Sequence, residues 1–234
     1  PAQIRVLDRA RGVVSVGAGL DTWVEGLIPE AGVRHLRITD GMDLRDARHD
    51  HRPDAGHDAD AGGDPHVWLD PLLVRDEIVP RLQAFLADLL PGQAPVLADR
   101  AAALADSLTA LDREIRAILG SGGGRRFVAT HDAWGYFAGA YGLESVGSVY
   151  ERPGHEPSAR SLARLVRDAR AAGLPSILAE PQLATTAAEA LATELEVEVR
   201  IVDPLGGPEL EGRESYFEMM RFNAVAFREA LGGP

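Results

Sequence analysis

Short apolar runs alternate with longer stretches of helical periodicity along most of the chain. A helix is expected from about Pro1 to Arg11, with Pro1 in its first turn, followed by the strand-like run Val13-Val14-Ser15-Val16. Gly17-Ala18-Gly19 turns the chain, Asp21 is placed to cap, Thr22 to Leu27 read as a short helix, and Val33 to Ile38 as a second strand. Leu72 to Leu90 carries apolar residues at helical spacing and stops at Pro91-Gly92. From about Pro95 to Leu119 the spacing predicts a long helix whose stripe is Leu97, Leu104, Leu108, Leu111, Ile115 and Ile118. At 1.5 Å per residue it spans roughly 37 Å, enough to join two lobes.

Gly120-Ser121-Gly122-Gly123-Gly124 ends that helix, and the α/β rhythm resumes. Strands are expected at Arg126 to Thr130, Ser145 to Val149, Ser176 to Ala179 and Val197 to Val202. Helices are expected at Ala133 to Tyr141, Ser158 to Ala172, Ala184 to Leu195 and Glu214 to Leu231. Strands alternating with helices predict an α/β fold with parallel sheets. Residues 43–65 break the rhythm. They have almost no apolar content, and three histidines, His49, His51 and His57, stand among many aspartates. Such a run reads as a solvated or disordered spacer, or as a crude metal trap.

Composition narrows the function classes. With 24 basic against 36 acidic side chains the formal net charge is -12, which disfavours a nucleic-acid partner. The chain has no cysteine, so disulfides, thiolate zinc sites and cysteine nucleophiles drop out. No run approaches the roughly 18 apolar residues of a membrane span, and no signal-peptide pattern opens the sequence.

Three residues stand where chemistry is expected. His66 lies in Asp64-Pro65-His66-Val67-Trp68-Leu69-Asp70-Pro71, between two prolines that fix the approach to a helix. His131 follows a predicted strand in Thr130-His131-Asp132-Ala133-Trp134, and Asp203 follows another in Val202-Asp203-Pro204-Leu205-Gly206. Open α/β sheets bind ligands beyond the carboxyl ends of their strands. Singly, each residue is more often a cap, a turn former or a bonded core residue. Together, imidazoles with a carboxylate suit zinc, and the carboxylate also admits manganese. Glu180, at an equivalent strand end, is either an acceptor orienting a ligand or a surface acid. His35 and His155 read as ordinary surface residues.

The motifs DPHVWLDP, THDAWGYFAGAYGL, Glu156 to Ala159, Ala179 to Gln182 and Val202 to Gly206 resemble the cluster A-I substrate-binding proteins, the zinc/manganese ABC-transporter binding proteins. Their order and separation match along essentially the whole chain. The resemblance implies two α/β lobes, each a small mostly parallel sheet flanked by helices, joined by one long rigid helix. On this chain that means an N-terminal lobe at 1–92, a connecting helix at 93–120 and a C-terminal lobe at 121–234. It implies metal in the interlobe cleft, with His66 from the first lobe and His131 and Asp203 from the second, the aspartate staying outside the first shell in some zinc-binding members. The family's first ligand is a histidine in a Pro-His-x-Tyr-Glu-Pro stretch just before the helix that opens here at Pro1. The resemblance therefore implies an N-terminally incomplete member, or one whose first ligand is lost.

The expected function is non-enzymatic: capture of Zn²⁺, with Mn²⁺ as the alternative, and delivery to an ABC membrane permease. The protein is expected to be a monomer, periplasmic or extracellular and membrane-anchored. Two rivals remain open. One is a metal-dependent hydrolase using the same ligands, against which the sequence has no His-Glu-x-x-His motif. The other is a surface adhesin on the same fold.

Overall fold

The computed structural model describes residues 7, 9–28, 33–46, 63–120, 122–150 and 157–233. The expected opening helix, the interior of the 43–65 loop and His155 lie largely or wholly outside them. The chain divides into two compact units, the boundary falling between Thr109 and Ala110.

In the first unit β1 (Gly12–Ser15) and β2 (Arg34–Arg37) pair in parallel, from Gly12 beside Arg34 to Ser15 beside Arg37. Between them, α1 (Thr22–Glu25) is shorter than the helix expected to Leu27. Asp21 does not cap α1. Its carboxylate accepts from the backbone N–H groups of Val16 and Gly17, at 2.6 and 2.9 Å, and ties the glycine turn to the end of β1. Nor is His35 an ordinary surface residue, since its Nε2 bonds Ser15 Oγ at 2.7 Å across the two strands.

A 3-10 turn, Val67–Leu69, buries Val67 and Leu69 and leads into α2 (Pro71–Leu73). Asp70 caps α2, accepting from Leu72 and Leu73 N–H, while Pro71 sits where no N–H is needed. A π turn, Val74–Ile78, then precedes α3 (Val79–Leu89). Pro80 explains the irregularity: its ring would strike the carbonyl of Asp76 in a regular helix, and the wider turn relieves the clash.

The long helix is α4 (Ala94–Leu119), whose 26 residues span roughly 39 Å. Its buried stripe differs from the expected one. Leu108, Leu111, Ile115 and Leu119 are buried, but Leu104 is 39% exposed and Ile118 only partly covered. Steps of 3 and 4 from Leu108 carry the seam to Leu119, which the heptad-like reading displaced by one position.

The second unit holds β3 (Arg126–His131), α5 (Gly135–Tyr141), β4 (Glu144–Tyr150), α6 (Ala159–Ala172), β5 (Ser176–Ala179), α7 (Thr186–Leu195), β6 (Glu198–Ile201) and α8 (Tyr216–Ala230). The strands form one parallel sheet in the order β4-β3-β5-β6. β5 is buried at every residue, as a strand inside a two-faced sheet must be. One face packs Val128, Ile177 and Ala179 against Leu165, Ala169, Leu191 and Ala192 of α6 and α7. The other carries an aromatic cluster in which Phe227 of α8 meets Phe127, Trp134 and Phe137 at 4.8–5.2 Å between ring centres. Ser158 caps α6 through Ser161 N–H, and Ser215 with Glu218 forms a capping box on α8.

Candidate metal centre

His131 is the last residue of β3, Glu180 follows β5 directly, and Asp203 lies two residues past β6. Because the three strands are parallel neighbours, all three side chains start from the same edge of the sheet. The topology, not sequence proximity, brings them there.

His131 and Glu180 form a pair. Nδ1 of His131 faces Glu180 Oε2 at 2.6 Å. Glu180 is fully buried, and its other oxygen, Oε1, accepts from Trp134 Nε1–H at 3.1 Å. Trp134, itself buried, thus fixes the carboxylate that faces the imidazole. The ring keeps 14% of its side-chain surface exposed.

The first unit repeats the arrangement. His66 Nδ1 meets Asp64 Oδ1 at 2.7 Å, and the same oxygen accepts from His66 backbone N–H at 2.9 Å. Asp64 is buried, while the His66 side chain retains 13% exposure and leans against Trp68 at 5.3 Å. Asp64 N–H also donates to Arg45 carbonyl at 2.8 Å, so the two ends of the acidic loop meet at the residue that orients His66. Gly63 permits this closure: a Cβ there would come within 2.5 Å of the Leu44 side chain.

Asp203 is built differently. It is fully buried, and its carboxylate is held by four donors. Oδ1 accepts from Gln182 Nε2 at 2.6 Å and from Leu205 and Gly206 N–H at 3.0 Å each. Oδ2 accepts from Arg213 Nη1 at 2.8 Å. Burial alone would raise its pKa, but the bonds from Gly206, Gln182 and Leu205 and the charge of Arg213 outweigh it and hold the group below its ordinary value. Asn223 of α8 clamps the backbone of the same residue, accepting from Asp203 N–H and donating to its carbonyl, both at 2.7 Å. Gly206 lets the loop close, for at φ +63° a Cβ would stand 2.7 Å from Arg213 carbonyl.

The second unit therefore gathers His131 and Glu180 as a pair, with Asp203 engaged to Arg213. Within either unit, the described residues bring no three His, Asp or Glu side chains together around one point. Asp64, Trp134, Gln182, Arg213 and Asn223 are roles the sequence reading did not assign. Asp64 stands in the Asp-Pro-His motif and Asn223 interrupts the apolar face of α8, so both left a signal. Arg213, in a polar loop, left none.

The chain thus holds two α/β units, both of which include part of the long helix α4, and a carboxylate-backed imidazole in each. The family model described as zinc-uptake complex component A, periplasmic, matches residues 1–230, and the chain belongs to that family. The high-affinity zinc uptake system protein ZnuA of Haemophilus ducreyi is 30% identical over 99% of this chain and 80% of its own length. The zinc-binding protein AdcA of Streptococcus pyogenes serotype M3 is 26% identical over 96% of this chain. The chain spans only 47% of that protein, about half its length. A crystal structure of ZnuA superposes with a TM-score of 0.82 at 27% identity, covering 98% of this chain and 83% of the other.

Proposed function

We propose that this chain captures zinc outside the cytoplasm and delivers it to an ABC permease, acting as a binding protein and not as an enzyme. The observation that carries this reading is the pair of carboxylate-backed histidines. A carboxylate can only accept a hydrogen bond, so it favours the tautomer with hydrogen on Nδ1 and leaves Nε2 as the metal-binding nitrogen. That is the support metal-binding histidines ordinarily receive. His66 has it from Asp64, and Glu180 faces the same nitrogen of His131 at 2.6 Å.

In this reading His66 and His131 are zinc ligands. Asp203 can serve as a ligand only by exchanging existing partners. Two imidazoles suit zinc better than manganese, and the family and its zinc-binding relatives point the same way. A monomer, anchored at the outer surface or free in the periplasm, meets the needs of such delivery.

Competition with a chromogenic chelator tests the proposal. One tight zinc per chain is expected, weakened roughly 10- to 100-fold in Glu180→Gln, which loses the acceptor facing His131 but keeps a carbonyl for Trp134. The zinc-loaded protein should not turn over ester, amide or phosphate substrates. Several weak sites with no tight one, or unchanged affinity in Glu180→Gln, would refute the reading. Turnover would favour the hydrolase.

A further inference from the structure

We propose that Arg213 sets the choice between zinc and manganese, by occupying at Asp203 the position a metal cation would take. This inference rests on the zinc-capture reading above and concerns the second unit alone.

Arg213 belongs to a loop built around Asp203. The carboxylate accepts from the backbone at Leu205 and Gly206, and the loop closes where Gly207 N–H donates to Arg213 carbonyl at 3.0 Å. From that closure the Arg213 side chain returns over the Phe222 ring, 4.9 Å from its centre, to meet Oδ2. Oδ1 already has three donors, so Oδ2 is the oxygen with capacity for a metal. It accepts from the guanidinium.

The contact is also poorly secured. An arginine can grip a carboxylate through two parallel N–H bonds, but here only Nη1 reaches Oδ2. The buried Nε of Arg213 has no hydrogen-bond partner among the described residues. A half-used fork with an unsatisfied nitrogen is the kind of partner that a competing cation can displace. The rest of Asp203 would stay in place, because Asn223 holds its backbone and Gln182 its other oxygen.

The two metals make different demands on this pair. Zinc is content with imidazole nitrogen and can bind while the Asp203–Arg213 contact stays closed. Manganese prefers carboxylate oxygen and must open it. The arginine therefore acts against manganese without touching zinc, and excludes the wrong ion by occupying its ligand.

Zinc and manganese affinities measured on wild type, Arg213→Gln, Asp203→Asn and the double variant test this. In Arg213→Gln the zinc-over-manganese preference should fall by roughly tenfold or more, chiefly through tighter manganese binding. In the double variant it should return to the wild-type value, since no carboxylate remains to be released. An unchanged preference in folded Arg213→Gln, or an equal fall in the double variant, overturns the proposal. A measurement on the wild type guards against a variant that fails to fold. On zinc saturation the Arg213 Nε–H NMR resonance should hold its position while the His131 ring resonances move. If Arg213 shifts as strongly as His131, zinc already displaces it and the proposal fails. His131→Ala separates the two layers: if it leaves zinc binding intact, the site reading fails, not the role of Arg213.

Discussion

Asn223 lies wholly inside the packed face of α8, and its amide completes both backbone hydrogen bonds of Asp203. Replacing it with leucine, close in volume, would leave a buried N–H and a buried carbonyl unpaired at once. The expected loss is about 2–4 kcal/mol of unfolding free energy, read from urea denaturation. A loss below about 0.5 kcal/mol would mean that other groups or water take over both bonds. Asp203 itself makes a pH-dependent contribution. Its folded pKa lies below the unfolded one, so the ionised group stabilises the fold fully above the unfolded value. That contribution disappears as pH falls through the depressed folded value. The stability gap between wild type and Asp203→Asn should therefore be widest near neutral pH and narrow on acidification below about pH 4. A gap constant across that range would show that the carboxylate's charge contributes nothing. His66, His131 and Asp203 were visible in the sequence because each stands in a short motif. Their supports were not equally visible. Asp64 is adjacent to what it orients, whereas Arg213 reaches Asp203 across a loop whose closure no local pattern announces.

Asp70 shows how an element boundary becomes chemistry. It caps α2 only four residues beyond His66, through N–H groups of Leu72 and Leu73. Asp70→Ala should cost about 1 kcal/mol of stability, measured by thermal or urea unfolding. Larger losses would imply that the whole turn from Asp64 to Pro71 moves. At this scale most of the fold was legible. β5 begins and ends where the apolar run does, and Ser158 and Gly173 bound α6 as their types dictate. The failures have definite causes. Asp21 serves a turn rather than a helix because the N–H groups of Val16 and Gly17 are nearer needs. Leu104 faces outward because the covered positions that lead into Leu108 are Ala101 and Ala105, small residues that an apolar stripe of leucines passes over. The π turn before Pro80 was within reach of sequence reasoning, since the proline interrupts an otherwise regular helical pattern.

Over the whole molecule, the two units repeat one device on different scaffolds: a buried carboxylate behind an imidazole at the exit of a packed element. His131 owes its place to the carboxyl edge of a four-stranded parallel sheet, His66 to a proline-bounded turn. A chain of net charge -12 with such paired devices is suited to a cation and poorly suited to an anionic partner. The central claim is that His66 and His131 are zinc ligands. A double-mutant cycle in zinc affinity over wild type, His66→Ala, His131→Ala and the double variant tests it most directly. Each single change should weaken tight zinc binding, on the order of 100-fold, and the double variant should bind no tighter than either single one. A folded single variant that keeps the wild-type zinc affinity would show that its histidine is not a ligand, and would contradict the account.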